Sequence, residues 1–267
     1  MPSALRRIAE DLARRAGGAA LVGRRSLPVG QPPAHDTKSS ATDPVTAFDE
    51  AAEATIVDAL RRLRPDDAIV GEEGTTDGGT SGIAWHIDPI DGTANFLYDQ
   101  PAWCTSIAAV DEHGSLAGAV YAPVADELFS AARGDGATLN GERVTVSSVD
   151  RLETALVGTG FSYLPERRSL QAERLRLLLP AVRDIRRLGS AALDLCYVAC
   201  GRLDAYFEEH LNSWDLAAGV LIATEAGAVA SDLEGDAVTG GAVLASSPGV
   251  HDLLLDAIRV ASRGARP

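Results

Sequence analysis

A chain of 267 residues, 46% hydrophobic and 23% charged, has globular proportions and can bury a substantial core in one large domain or two tightly joined lobes. Its 38 acidic residues against 24 basic ones give a formal net charge of −14, which argues against direct nucleic-acid binding. An anionic ligand would need something other than bulk charge to attract it, and a bound divalent cation would serve.

In chain order, Leu5, Ile8, Leu12 and Ala16 recur at helical spacing with arginines between them. Glu10 and Asp11, and the lack of a continuous apolar core, favour a domain helix over a signal peptide or organelle address. No run approaches a membrane span, so the expectation is a soluble, cytoplasmic protein without membrane contact. Residues 24–45, rich in Pro, Gly and Ser, read as a long irregular segment. Residues 46–63 read as a helix with Phe48, Ala52, Ile56, Ala59, Leu60 and Leu63 on one face. Residues 68–70 form a short buried strand before Gly71-Glu72-Glu73-Gly74, 75–82 a turn-rich loop, and 84–87 another strand.

Three strands at 105–110, 116–123 and 127–132 then follow one another in antiparallel fashion. The second half alternates: strand 155–160, an amphipathic helix over 166–182, extended 184–188, a buried helix 189–201, strand 204–209, a helix from Trp214 to Gly227, strands 228–232 and 242–247, and a closing helix from about Gly249. This interleaving predicts layered α/β or α+β architecture, with an N-terminal lobe of about 1–148 and a C-terminal lobe of about 149–267. Cys104, Cys196 and Cys200 are odd in number and lack metal-type pairing, which argues against a disulfide framework. The last two sit one helical turn apart and read as buried helix.

The chemistry concentrates in carboxylates at the ends of predicted elements: Glu72 or Glu73, Asp88 and Asp91 within WHIDPIDGTANF, and Asp215. Convergent carboxylates without His or Cys suit a hard ion such as Mg²⁺ rather than zinc. Pro89 holds Asp88 extended, so the chain can turn and present Asp91 to the same point, with the Ile90 carbonyl between them. Gly92-Thr93 offers backbone N–H groups and close approach for a phosphate. Taken singly, Asp-Gly is also a common turn and Asp215 could simply cap the helix that follows it.

Four segments in this order, DPVTAFD (43–49), GEE (71–73), WHIDPIDGTANF (85–96) and WDLAAGVLIATEAGA (214–228), resemble the inositol monophosphatase family of Mg²⁺-dependent phosphatases. They span most of the chain. The resemblance implies a layered αβαβα sugar-phosphatase fold, a homodimer, and hydrolysis of inositol 1-phosphate with two or three Mg²⁺ ions. By position, it implies Glu72, Asp88, the Ile90 carbonyl, Asp91 and Asp215 as metal ligands, with Asp88 bridging two ions. Gly92 and Thr93 correspond to a phosphate cradle, and Asp49, Thr93 and Glu72 to the groups that orient and deprotonate the attacking water. Asp91, Gly92, Thr93, Gly189, Ser190, Ala191, Glu208 and Asp215 are the implied substrate-binding set.

A carboxylate such as Glu208 suits a polyol because it accepts hydrogen bonds from hydroxyls; its plainer reading is an exposed charge at a strand end. A bisphosphate would instead want a basic group there. Arg186 and Arg187 are near, although an extended segment sends neighbours to opposite faces. Histidinol phosphate, fructose bisphosphate and nucleotide 3′-phosphates are alternative substrates within the family, and a regulatory binding protein is the alternative function. His86 reads as structural, and Lys38 corresponds to a family lysine on a loop near the site.

Overall fold

The computed structural model describes residues 2–28, 30–38 and 43–264. The chain runs through helix α1 (Pro2–Arg25), strands β1 (His35–Thr37) and β2 (Pro44–Thr46), and helix α2 (Ala47–Leu63). Strands β3 (Ala68–Gly71), β4 (Thr76–Asp77) and β5 (Ala84–Asp91) lead into the short helix α3 (Thr93–Leu97). Strands β6 (Cys104–Asp111), β7 (Gly114–Ala122), β8 (Glu127–Ala132), β9 (Ala137–Leu139) and β10 (Glu142–Arg143) follow. The second half comprises β11 (Leu156–Thr159), α4 (Pro165–Leu178), β12 (Asp184–Arg186), α5 (Ala191–Ala199), β13 (Ala205–Leu211), α6 (Ser213–Glu225), β14 (Val229–Ser231), β15 (Gly241–Ser246) and α7 (His251–Gly264).

Eight strands form one sheet in the order β10-β9-β8-β7-β6-β5-β3-β4, and five form another in the order β12-β11-β13-β15-β14. The first is antiparallel except where β3 runs parallel to β5; in the second, β11 lies parallel to both β12 and β13. The buried contacts define five layers. Leu5 and Leu12 of α1 and Ile56 and Leu60 of α2 pack on Trp85, Ile87 and Ile107 of the large sheet. Its opposite face meets Leu193 and Cys196 of α5 and Ile222 of α6 through Ala108, Val120 and Phe129. The far sides of α5 and α6 place Leu195, Val198 and Leu216 against Tyr206 and Val243 of the small sheet. Val157, Phe207 and Leu244 then meet Leu178 of α4 and Leu254 and Ile258 of α7. The order is αβαβα, as expected. α5 and α6 are apolar on both sides because each is sandwiched between sheets.

Three elements differ from the sequence reading. The segment expected to be irregular contains the β1–β2 hairpin, pairing His35 with Thr46 and Thr37 with Pro44. β5 continues through Asp91, with its pairing to β6 shifting register between Asp88 and Asp91. Pro89 has no N–H to give a ladder, so the strand bends there while staying extended. α4 buries only Gln171 and Leu178 and leaves Leu170 and Leu177 exposed, because it lies in an outer layer with one side turned to the small sheet and α7.

Candidate active site

The motif at 85–96 runs from the end of β5 into α3. Asp88 and Asp91 are both buried. Asp88 Oδ1 accepts the Ile90 N–H at 3.0 Å, a local bond that ties the carboxylate back to its own strand across Pro89. Gly92 follows with φ of 97°, a left-handed conformation that glycine adopts without steric cost. The Thr93 hydroxyl points back from the start of α3, 3.0 Å from the Ile90 carbonyl and 3.3 Å from Asp49 Oδ1. Asp49 belongs to the first turn of α2, where its Oδ2 accepts the Thr46 N–H at 2.9 Å and the Thr46 hydroxyl at 2.6 Å. This is the reciprocal half of a capping box, so α2 starts and Asp49 is aimed by the same bonds.

Asp91 is gripped from the central helical layer. Its Oδ2 accepts the Ser190 hydroxyl and the Ala192 N–H, each at 2.7 Å, and its Oδ1 accepts the Ala191 N–H at 3.3 Å. A helix N-terminus favours a carboxylate there. Ser190, expected at the substrate ring, thus turns its hydroxyl to Asp91 and is itself buried, whereas Gly189 and Ala191 line the cavity. Burial pushes the Asp91 carboxyl up to about 6, against the opposing hydrogen bonds from Ser190 and Ala192. Asp215 is the third residue of α6 and accepts the Asn212 N–H at 2.6 Å; the helix cap is Asn212. Burial, then the charge of Asp91, pushes Asp215 well above the usual carboxylate range. Asp88 is raised in the same way, by burial first and then by Glu72, Asp91 and Asp215.

Glu72 and Glu73 follow β3 and both meet the Lys38 ammonium, at 2.8 and 2.7 Å. Burial pushes Glu73 up to about 7.

A cavity of about 460 Å³ is lined by Glu72, Asp88, Ile90, Asp91, Gly92, Thr93 and Asp215, together with Gly189, Ala191 and Glu208. Glu208 accepts a hydrogen bond from the Tyr206 hydroxyl two residues earlier on the same face of β13, and burial pushes it up to about 7. Arg186 and Arg187 do go to opposite sides: Arg186 pairs with Asp184 at 2.6 Å, while Arg187 lines the cavity. His86 faces away into a different cavity, where Ser213 Oγ lies 2.7 Å from its Nδ1.

The donor set suits a hard cation. Its candidate ligands are all oxygens, although His210 also lines the cavity and Cys104 Sγ lies 3.9 Å from Asp91 Oδ2, and buried carboxylates that raise one another call for a countercharge. Among the described residues, no three carboxylate, imidazole or thiol groups are yet drawn around one point closely enough to hold an ion. Glu72 after β3, Asp88, Asp91 and the Ile90 carbonyl on β5, and Asp215 on α6 are the groups that would hold one.

The sequence profile of the inositol monophosphatase family matches residues 1–262. The chain belongs to this family. It is 48% identical to an inositol-1-monophosphatase of Mycobacterium leprae over 83% of this chain and 80% of that protein. A Nus factor SuhB of Pasteurella multocida is 40% identical over 84% and 85%. The solved structure of Mycobacterium tuberculosis SuhB superimposes with a TM-score of 0.84 at 43% identity, covering 98% of each chain. Family membership makes this protein a phosphatase.

Three side chains that the sequence reading passed over hold this phosphatase site in shape. Glu53 of α2, buried, accepts the Glu73 N–H at 2.8 Å, the Thr75 N–H at 3.2 Å and the Thr75 hydroxyl at 2.6 Å. Gly71 makes room for it, since a Cβ there would lie 2.4 Å from Glu53 Oε2. The signal was available as an acidic residue on the apolar side of a predicted helix. Arg24, at the end of α1, is buried and donates to the Phe96 carbonyl at 2.9 Å, fixing the far end of α3. Asn95 Nδ2 bridges the Ala102 and Leu188 carbonyls at 2.6 and 2.8 Å, tying α3 to the segment before α5. Glu53→Ala is expected to leave the fold intact by circular dichroism while weakening divalent-ion binding by about 10–100-fold, the usual effect of removing a group that orients ligands. Calorimetric titration with Mn²⁺ measures it; unchanged affinity would deny Glu53 that role.

Proposed function

We propose that this phosphatase hydrolyses inositol 1-phosphate, with related polyol phosphates as secondary substrates, and that it works with two or three Mg²⁺ ions. The observation that carries this reading is one cavity lined both by the carboxylates with Gly92-Thr93 and by Glu208. When bound, the ions would supply Lewis acidity to the phosphoryl group and the attacking water, which lets weak bases suffice.

The chain's own groups have distinct tasks. The Gly92 turn and the α3 start offer N–H groups to phosphate oxygens. Thr93 and Asp49 form a hydrogen-bonded pair that can take up a proton from the water through the Thr93 hydroxyl, with Glu72 as a second acceptor. Asp91 is held at a fixed angle by α5, which pre-orients one wall of the site. Glu208 accepts hydrogen bonds from neighbouring ring hydroxyls, and this favours a polyol over a second phosphate.

Phosphate release from inositol 1-phosphate, histidinol phosphate, fructose 1,6-bisphosphate and adenosine 3′,5′-bisphosphate, each with Mg²⁺ or chelator, tests the reading. Mg²⁺-dependent release strongest on inositol 1-phosphate supports it; preference for another ester replaces the substrate. Glu208→Gln is expected to raise KM for inositol 1-phosphate about tenfold, one lost hydrogen bond to a charged acceptor, and to leave p-nitrophenyl phosphate turnover nearly unchanged. Equal effects on both esters would remove Glu208 from polyol recognition.

A regulatory binding role is a second reading, favoured by the relatives named Nus factor SuhB. An acidic surface can meet a basic partner. Cellular function retained by Asp91→Asn, together with recovery of a partner by that variant, would support it.

A further inference from the structure

We propose that Lys38 is a built-in cation of the carboxylate cluster: its ammonium holds Glu72 in the metal-free protein, competes with the divalent ion for it, and releases it when the ion binds. The inference rests on the metal-ion reading given under Proposed function.

Lys38 follows β1, and its main-chain N–H donates to the Asp43 carbonyl at 2.8 Å, so its stem is anchored by the hairpin. From there the ammonium makes two charge-assisted bonds, to Glu72 Oε1 at 2.8 Å and Glu73 Oε1 at 2.7 Å. The side chains involved are 23%, 22% and 7% exposed, so solvent screens the contact only in part. Glu53 accepts the Glu73 and Thr75 N–H groups and so fixes the backbone that carries the two glutamates. Glu72 is thereby committed to a cation on its own chain while Asp88, Asp91 and Asp215 repel one another beside it.

Composition supplies an independent observation. Lys38 is the only lysine in the chain; every other cationic side chain among the 24 is arginine. The two differ physically. A guanidinium grips a carboxylate through a planar, bidentate fork, whereas an ammonium is a compact point charge on a flexible stem that makes single bonds and can swing away. A releasable stand-in for a metal ion calls for the second kind. Glu73 completes the device, because it retains Lys38 after Glu72 is given up to the ion. The hairpin from His35 to Thr46 is then coupled to metal occupancy through one side chain.

The single lysine also makes the test clean. Biosynthetic labelling with [¹³Cε]lysine places one NMR probe in the intact protein, and Mn²⁺ affinity is read separately by calorimetry for wild type, Lys38→Met and Lys38→Arg. Expected are a shift of the lysine signal on Mg²⁺ addition, about tenfold tighter Mn²⁺ binding by Lys38→Met, and binding by Lys38→Arg no tighter than wild type. A lysine signal unmoved by Mg²⁺, or Mn²⁺ bound by Lys38→Met with unchanged or lower affinity, overturns the proposal. Asp88→Asn separates the two readings. Wild-type binding that Asp88→Asn abolishes but Lys38→Met leaves alone sinks only the role of Lys38. Binding indifferent to Asp88→Asn sinks the metal site itself, and this proposal with it.

Discussion

Asp88→Asn is expected to lower Mg²⁺-dependent phosphate release by on the order of 10³-fold, while raising the melting temperature of the metal-free protein. The two effects have one origin. Asp88 is buried with Glu72, Asp91 and Asp215 around it, so its charge is unfavourable until a cation arrives. Asparagine keeps an oxygen in the Oδ1 position for the Ile90 N–H and so preserves that local bond. It removes the charge that the ion needs and that the empty protein must otherwise suppress. In a chain of this size each kcal/mol relieved corresponds to about 2–4 °C. Phosphate release with Mg²⁺ and thermal melts in chelator measure both. A variant that loses activity and also melts lower would mean that Asp88 stabilises the fold directly, which contradicts the electrostatic account.

The second large effect is a pH dependence that a divalent ion should erase. Burial raises Asp88 and Asp215 well above the usual range, Asp91 to about 6, and Glu73 and Glu208 to about 7. In each case the folded state holds its proton to higher pH than the unfolded state does. Between the ordinary carboxylate values near 4 and these raised ones, the folded protein binds more protons, so stability falls as pH rises. Each titrating group contributes at most ~1.4 kcal/mol per pH unit to that slope. Metal-free melting temperatures should therefore decline from pH 5 to 8. Saturating Mg²⁺ replaces the protons as countercharge, so its stabilisation should be largest at pH 8 and smallest at pH 5. A Mg²⁺ increment that does not grow with pH would show that Asp88, Asp91 and Asp215 are not its binding site.

The effects that local chemistry decides were readable along the chain. Helices α2 and α5 start where Thr46 and Ser190 cap them, and the interleaving of strands and helices announced a layered architecture, whose αβαβα order was implied by the family resemblance. The β1–β2 hairpin was not readable, because a three-residue strand among Pro, Gly and Ser carries too little periodicity to register. The expected amphipathic character of α4 failed for a related reason. Its leucines are numerous, but it lies in an outer layer where the small sheet and α7 cover only part of it, and no pattern in the segment reports how much will be covered.

The sequence by itself determined the chemistry of this protein: the acidic residues and the Gly92-Thr93 turn are set by residue type and by neighbours a few positions away. The side to which each arginine of the 186–187 pair turns, and the α2 and α6 caps that aim Asp49 and Asp215, also follow from neighbours along the chain. Tertiary structure alone decided which distant groups those residues would meet. Ser190 is 99 positions from Asp91 and Lys38 is 34 from Glu72, and both contacts exist only because tertiary packing brings separate elements together. Hydrogen bonds act over about 3 Å, so partners brought together by packing leave no spacing in the sequence to betray them.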